Sequence, residues 1–218
     1  MLIWRVKRLV SKKIIMIGAG GHAGVLLDLL FRKNIEVHSL VIPVGSSARS
    51  KIFQNVEKIY GDNSLDAYDR STIILVNGIG FLPRQLRRRD LFLEYSTKRF
   101  KFEKVVATTS MVSSNADLDE GVQIMDGCII QSGARIGENT IVNTNASIDH
   151  DCDIGSHNHI APGTTICGDV STASNVFVGS GAVISNGVYI GENTIIGAGA
   201  IVTKDVESNK VVFGYRYK

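Results

Sequence analysis

The sequence predicts an α/β unit over residues 13–104 followed by a parallel β-helix of hexapeptide repeats over residues 105–218, with a short extension at residues 1–12. Three observations carry this reading. An aliphatic residue returns every sixth position from Val106 to Val202, and only Thr172 interrupts the series. The residue four places on is mostly small or β-branched, as in Ala116, Cys128, Ala134, Thr140, Ala146 and Cys152. Upstream, a short apolar run ends in Gly18-Ala-Gly-Gly-His-Ala-Gly24 and leads into apolar residues at helical spacing. A period of six suits neither a 3.6-residue helix nor an alternating strand.

Each hexad supplies a short strand and a bend, and three hexads close one triangular coil. The aliphatic side chain points into the prism, and the small residue leaves room for the next bend. The glycine that often follows the aliphatic residue (Gly137, Gly155, Gly179, Gly191, Gly197) is expected where the backbone needs unusual angles. One coil cannot bury its own apolar face, so stability comes from stacking on its neighbours.

In the upstream unit, residues 13–17 read as a strand, residues 25–31 as a helix, residues 36–42 as a second strand and residues 71–77 as a later one ahead of Gly78-Ile-Gly80. Strand, glycine turn and helix in that order open a doubly wound, Rossmann-like unit. Backbone N–H groups at Gly20 and Gly21 and the following helix N-terminus favour an anion. A dinucleotide fold wants a carboxylate after its second strand for the ribose hydroxyls, and here that place reads Ile42-Pro43-Val44. A nicotinamide cofactor is disfavoured, and a smaller phosphate-bearing ligand such as a nucleotide-sugar is preferred. Pro83 is expected to open the next helix, carrying Arg84, Arg87, Arg88 and Arg89. Most of that cluster reads as a solvated face; Arg84, nearest the strand end, is the candidate for a diphosphate.

Composition narrows the partners. A net charge of +3 gives no ground for nucleic-acid binding, and no run of ~18 apolar residues suggests a membrane span. Arg5, Lys7 and Arg8 interrupt any signal-peptide apolar core. Cys128, Cys152 and Cys167 lack CxxC spacing and read as small buried hydrophobes, which points to the cytoplasm.

The histidines bring chemistry to the repeat. His150, His157 and His159 occupy slots that do not point into the prism, with surface placement as the plain alternative to a role. His150 lies between Asp149 and Asp151, and a carboxylate that fixes its tautomer makes a general base. Gly168 lies eighteen residues on, one full coil above, where its N–H can serve an oxyanion. His159 lies half a coil round and should face another side, so both histidines can serve one site only between subunits. A zinc site like that of β-helix carbonic anhydrases needs an H-x4-H pair, which His150-x6-His157 and His157-x-His159 do not supply. No metal is expected.

The glycine turn on a short α/β unit, followed by repeats carrying His150-Asp-Cys-Asp-Ile-Gly155 and His159, resembles the NeuD/PglD-type sugar acetyltransferases. The likeness covers nearly the whole chain beyond residue 12. It implies a left-handed β-helix, a homotrimer, and acetyl-CoA bound between adjacent prisms. By the same resemblance His150 is the base, Asp151 its acidic neighbour, and Gly168 a backbone contact. His159 would meet the thioester end of acetyl-CoA, and Gly179, Ala198 and Lys204 would lie along the rest of that molecule. Gly20, Gly21 and His22 would hold the nucleotide-sugar, with Gly78 and Gly80 near its base or ribose. The implied reaction is N-acetylation of the 4-amino group of a UDP-4-amino-4,6-dideoxy-N-acetylhexosamine for glycan, capsule or glycoprotein synthesis. O-acetylation of a sialic-acid-like sugar, and a non-catalytic sugar-nucleotide-binding prism, stand as alternatives. The C-terminal Gly214-Tyr-Arg-Tyr-Lys218 departs from the family's G-x-P-A-K.

Overall fold

The computed structural model describes residues 12–46 and 50–214. The extension before residue 12 and the tail after Gly214 lie outside the described residues. The first unit is a four-stranded parallel sheet of β1 (Lys13–Ile17), β2 (Val37–Ile42), β3 (Glu57–Tyr60) and β4 (Ile73–Asn77) in the order β3-β2-β1-β4. Helix α1 (Gly21–Arg32) follows the glycine turn and buries Ala23, Leu26, Leu27, Leu29 and Leu30, the 3.6-residue stripe expected of a helix on a sheet. Strand β3 carries partly exposed residues at the sheet edge, so its run gives no apolar signal in the sequence.

Helix α2 (Arg87–Thr97) begins four residues later than Pro83 suggested. Pro83 and Arg84 instead sit inside a turn closed by the Gln85 N–H donating to Leu82 O at 3.0 Å. Arg84 takes φ +67°, a left-handed conformation that cannot start a right-handed helix. Arg88, read as part of a solvated face, is buried at 2 % exposure.

From residue 105 the chain winds into a parallel β-solenoid whose two-residue strands stack into sheets of five, seven and six strands. Pairing advances one coil at a time, Ile136 on Ile154, Ile154 on Thr172 and Thr172 on Ile190. The aliphatic slots fill the prism, with Ile124, Ile136, Val142, Ile148, Ile154, Ile160, Val178, Ile184, Ile190 and Ile196 all at 0 % exposure. Left-handed backbone falls three residues after each of these slots, mostly on Gly, Asn or Asp and once on His157 (φ 58°). The glycines one residue after the slot serve a different purpose. A Cβ on Gly155 would lie 2.6 Å from Ala173 O, and one on Gly179 2.5 Å from Ala198 N. They are small because the coil above passes close by, not because φ is positive.

The first unit lies across the outer face of the seven-stranded sheet, on Gln123 and His159. The seam is polar and buried. His22 Nε2 pairs with Gln123 Oε1 at 2.7 Å, Gln123 Nε2 donates to Asn77 O at 2.9 Å, and Asn77 Nδ2 donates to Asn139 Oδ1 at 3.1 Å. Asn139 Nδ2 then meets His157 Nδ1 at 3.0 Å. Among the described residues no helix is long and apolar enough to cross a membrane.

Candidate active site

His150 stands at the bend after strand Ser147–Ile148 of the six-stranded sheet, with its side chain 58 % exposed. Its own N–H donates to Asp149 Oδ1 at 2.8 Å. Asp151 holds φ +58°, which turns its carboxylate back so that Oδ2 lies 2.9 Å from His150 Nδ1. The hydrogen bond donated to Asp151 raises the imidazole above its ordinary value of 6.5, and the charge of Asp149 adds to the effect. With the Nδ1 proton donated to Asp151, Nε2 carries the lone pair and lies beside Gly168.

Gly168 lies directly above. A Cβ there would sit 2.7 Å from both Cε1 and Nε2 of His150, so the ring occupies the space a side chain would fill. The Asp169 N–H donates to His150 O at 3.0 Å and locks the two bends in register, while no described residue accepts from the Gly168 N–H. A carboxylate-held imidazole and the Gly168 backbone thus meet on one corner of the prism, the kind of pairing that proton removal and oxyanion stabilisation require. Asn186, the next residue in this column, approaches to 3.3 Å of the same point and was not signalled by its type.

His157 and His159 are buried, against the expectation of surface slots, because the first unit covers their face. His159 packs edge-on against Phe81 (5.6 Å) and Phe177 (5.3 Å), and its Nε2 meets Asn143 Nδ2 at 3.2 Å. Burial lowers it to about 3, helped by the nearby His22 and Arg88. Burial likewise lowers His22 and His157 to about 4. His150 and His159 therefore lie on different sides of one prism, as their spacing required. Among the described residues no group of three or more His, Cys, Asp or Glu side chains is placed to hold a metal.

A cavity of about 990 Å³ opens at the glycine turn. Gly20, Gly21, Gly24, Val25 and Asp28 form one wall, Ile42, Pro43 and Ser46 another, and Asp126 of the solenoid closes it. Gly20 caps α1 without a side-chain hydrogen bond, so the first N–H groups of the helix point at the opening. Arg32 grips Asp126 at 2.6 and 3.0 Å and Asp28 at 3.1 Å, and Thr109 also donates to Asp126. Neither Asp28 nor Asp126 was legible as a lining residue, since each comes from a different unit. His22 turns from this cavity into the seam. Gly78 is packed shut, its absent Cβ 2.7 Å from Ile17 O, and Gly80 lies against His22. Arg84 lines a second cleft of about 290 Å³ with Phe81, Arg89 and Phe177, sharing no residue with the first. Gly179 and Ala198 stack on one another at the bends after the seven-stranded sheet, a corner away from His150. Lys204 is exposed near the end of the solenoid.

Residues 133–168 and 169–204 match the family model described as bacterial transferase hexapeptide (six repeats). No curated protein sequence matches the chain. Among solved structures, PerB from Caulobacter crescentus in complex with CoA and GDP-perosamine is 29 % identical, with a TM-score of 0.83 over 94 % of this chain and 95 % of that one. A histidine-to-alanine mutant of GDP-perosamine N-acetyl transferase from Caulobacter crescentus, in complex with CoA and GDP-perosamine, is 28 % identical, with a TM-score of 0.83 over 94 % of each chain. The acetyltransferase domain of PglB from Neisseria gonorrhoeae, in complex with acetyl coenzyme A, shares the fold at 24 % identity and a TM-score of 0.83, over 93 % of this chain and 96 % of that one.

The repeat and the prism together mark a hexapeptide-repeat acyltransferase. Residues 133–204 carry the transferase hexapeptide repeat, and the likeness to the solved sugar acetyltransferases runs through both units of the chain.

Proposed function

We propose that this enzyme transfers an acetyl group from acetyl-CoA to the 4-amino group of a nucleotide-linked 4-amino-4,6-dideoxy sugar. The observation that carries the reading is the His150 imidazole, held by Asp151 and seated on Gly168. His150 Nε2 removes a proton as the amine attacks the thioester carbonyl carbon. The Gly168 N–H stabilises the oxyanion, the C–S bond breaks, and the imidazolium returns its proton to the departing thiolate. In this reading residues 13–104 form a Rossmann-like nucleotide-sugar unit and residues 105–218 a left-handed acetyltransferase prism.

The cavity at Gly20 and Gly21 has the size for a nucleotide-sugar, with the diphosphate at the α1 N-terminus. His150 stands on a different corner from that cavity, so the acceptor held by one chain meets the base of another. This supports a cyclic homotrimer with acetyl-CoA between prisms, along Gly179, Ala198 and Lys204. Uridine diphosphate is the handle that the resemblance implies; PerB, with its bound GDP-perosamine, makes guanosine diphosphate the other to test.

The test is thiol release from acetyl-CoA with UDP- and GDP-linked 4-amino sugars and a free sialic acid offered separately. Release with a nucleotide-linked amine alone supports the reading, and release with the sialic acid alone replaces it by O-acetylation. Release with none, together with no binding of CoA, replaces it by a non-catalytic sugar-nucleotide-binding prism.

A further inference from the structure

The most deeply buried charge in the described chain sits at the seam between the units. The Arg88 guanidinium makes four hydrogen bonds, all to main-chain carbonyls: Nη1 to Asn77 O (3.0 Å) and Ile79 O (2.7 Å), Nε and Nη2 to Asn139 O (3.2 and 3.1 Å). Its own carbonyl accepts from Asn77 Nδ2 at 3.1 Å. One side chain thus ties the loop after β4, helix α2 and a solenoid bend to a single point. None of these acceptors is a carboxylate, so dipoles alone offset the buried charge. Packing by itself would be served better by an apolar side chain.

The loop it holds touches the two buried histidines nearest the glycine turn. Asn77 O also receives Gln123, whose Oε1 holds His22, and a Cβ on Gly80 would lie 3.3 Å from the His22 Cβ. Phe81, at the loop's end, lies edge-on against His159. A shift of residues 77–81 therefore moves both imidazoles. The charge acts on them as well: after burial, Arg88 is among the causes that depress His22, His157 and His159.

We propose that Arg88 is the positioning residue for the acceptor side of the site: it fixes residues 77–81 on the solenoid and through them His22, whose neighbours Gly20 and Gly21 line the cavity at the α1 N-terminus, while His159, packed on Phe81, reports the same shift. The kinetic part of this proposal rests on the function proposed above; the structural part does not. A planar fork reaching three carbonyls cannot be copied by an ammonium, so Arg88→Lys should be intermediate and Arg88→Met severe.

The experiment uses the full chain and both variants. In Arg88→Met, KM for the nucleotide-linked amine should rise at least tenfold while KM for acetyl-CoA stays within twofold. Histidine NMR should show His22 and His159 resonances displaced and His150 unmoved. Equal changes in both KM values, or unmoved His22 and His159 resonances, would overturn the proposal. Should wild-type enzyme turn over no nucleotide-linked amine, the proposed function fails and the NMR result alone decides on Arg88. Should Arg88→Met not fold, Arg88→Lys carries the same readouts. In wild type the Arg88 Nε–H must be protected from exchange; rapid exchange would also overturn it.

Discussion

Asn158 donates through Nδ2 to Thr172 Oγ1 at 2.6 Å, inside the prism, across two neighbouring coils. Thr172 is the one break in the aliphatic series, and Asn158 is the one residue of the small-residue row that is neither small nor β-branched. The two irregularities are one feature. Asn158 also donates to Ala173 O (3.0 Å) and accepts from the Val176 N–H (2.6 Å), while Thr172 Oγ1 accepts from the Gly155 N–H (3.0 Å). Thr172→Val should cost ~1–2 kcal/mol and Asn158→Ala ~2–3 kcal/mol, because each strands a buried partner. The double variant should lose less than the sum, since the second change removes a group already orphaned. Urea unfolding of the four proteins gives the coupling, and strict additivity would show the two residues to be independent.

Gly168→Ala places a methyl group 2.7 Å from the imidazole it must share space with. The ring must swing away from the donor above it. We expect kcat to fall by roughly 100-fold, on the scale of losing one oxyanion donor, with the unfolding midpoint nearly unchanged because the half-exposed His150 ring can swing into solvent. Comparing kcat with thermal denaturation of the same preparation checks this.

Asp151→Asn should move the acid limb of the kcat profile. The base works as neutral imidazole, so activity is lost as pH falls through its raised pKa. Removing the largest cause of that rise lets activity persist to lower pH. The plateau should fall as well, since the tautomer is no longer held by a carboxylate. Asn tolerates the left-handed φ of +58° at this position, so the bend should survive. A pH profile unchanged in position would show that Asp151 does not set the basicity of His150.

The seam should open in acid before the prism unwinds. His22 and His157 are lowered to about 4 and His159 to about 3, below the ordinary 6.5. The unfolded chain therefore binds more protons across this window, and stability falls as pH drops from about 6.5 towards 4. Above 6.5 these three groups add no pH dependence. Glu138, 3.8 Å from His157 Nε2, favours its protonated form, whereas Arg89 and Arg88 oppose it. Hydrogen exchange at pH 4.5 should show the amides of β1 and α1 deprotected while those of residues 141–196 remain closed.

The prism was legible because its period is strict: each slot from Ile124 to Ile196, Thr172 included, became an interior residue. His150 and Gly168 were legible for the same reason, since eighteen residues of separation is one coil. The burial of His157 and His159 was not, because it depends on which face the first unit covers, and no local pattern encodes that docking. Arg88 looked like its neighbours Arg87 and Arg89 in a helical arginine run; only the carbonyls converging from residues 77, 79 and 139 distinguish it. Asp126 was hidden in the same way, as an ordinary bend residue until Arg32 reached it from the other unit.

The coil-by-coil pairing also makes some changes of length silent in the sequence pattern and disruptive in space. Six residues added before His150 would keep every aliphatic residue in step with the interior. Yet every later side chain would rotate by a third of a turn, carrying His159 off the covered face and parting His150 from its place relative to the first unit. Eighteen residues would instead restore each face and lengthen the prism by one coil. Natural length variation upstream of His150 should therefore be quantised in whole coils.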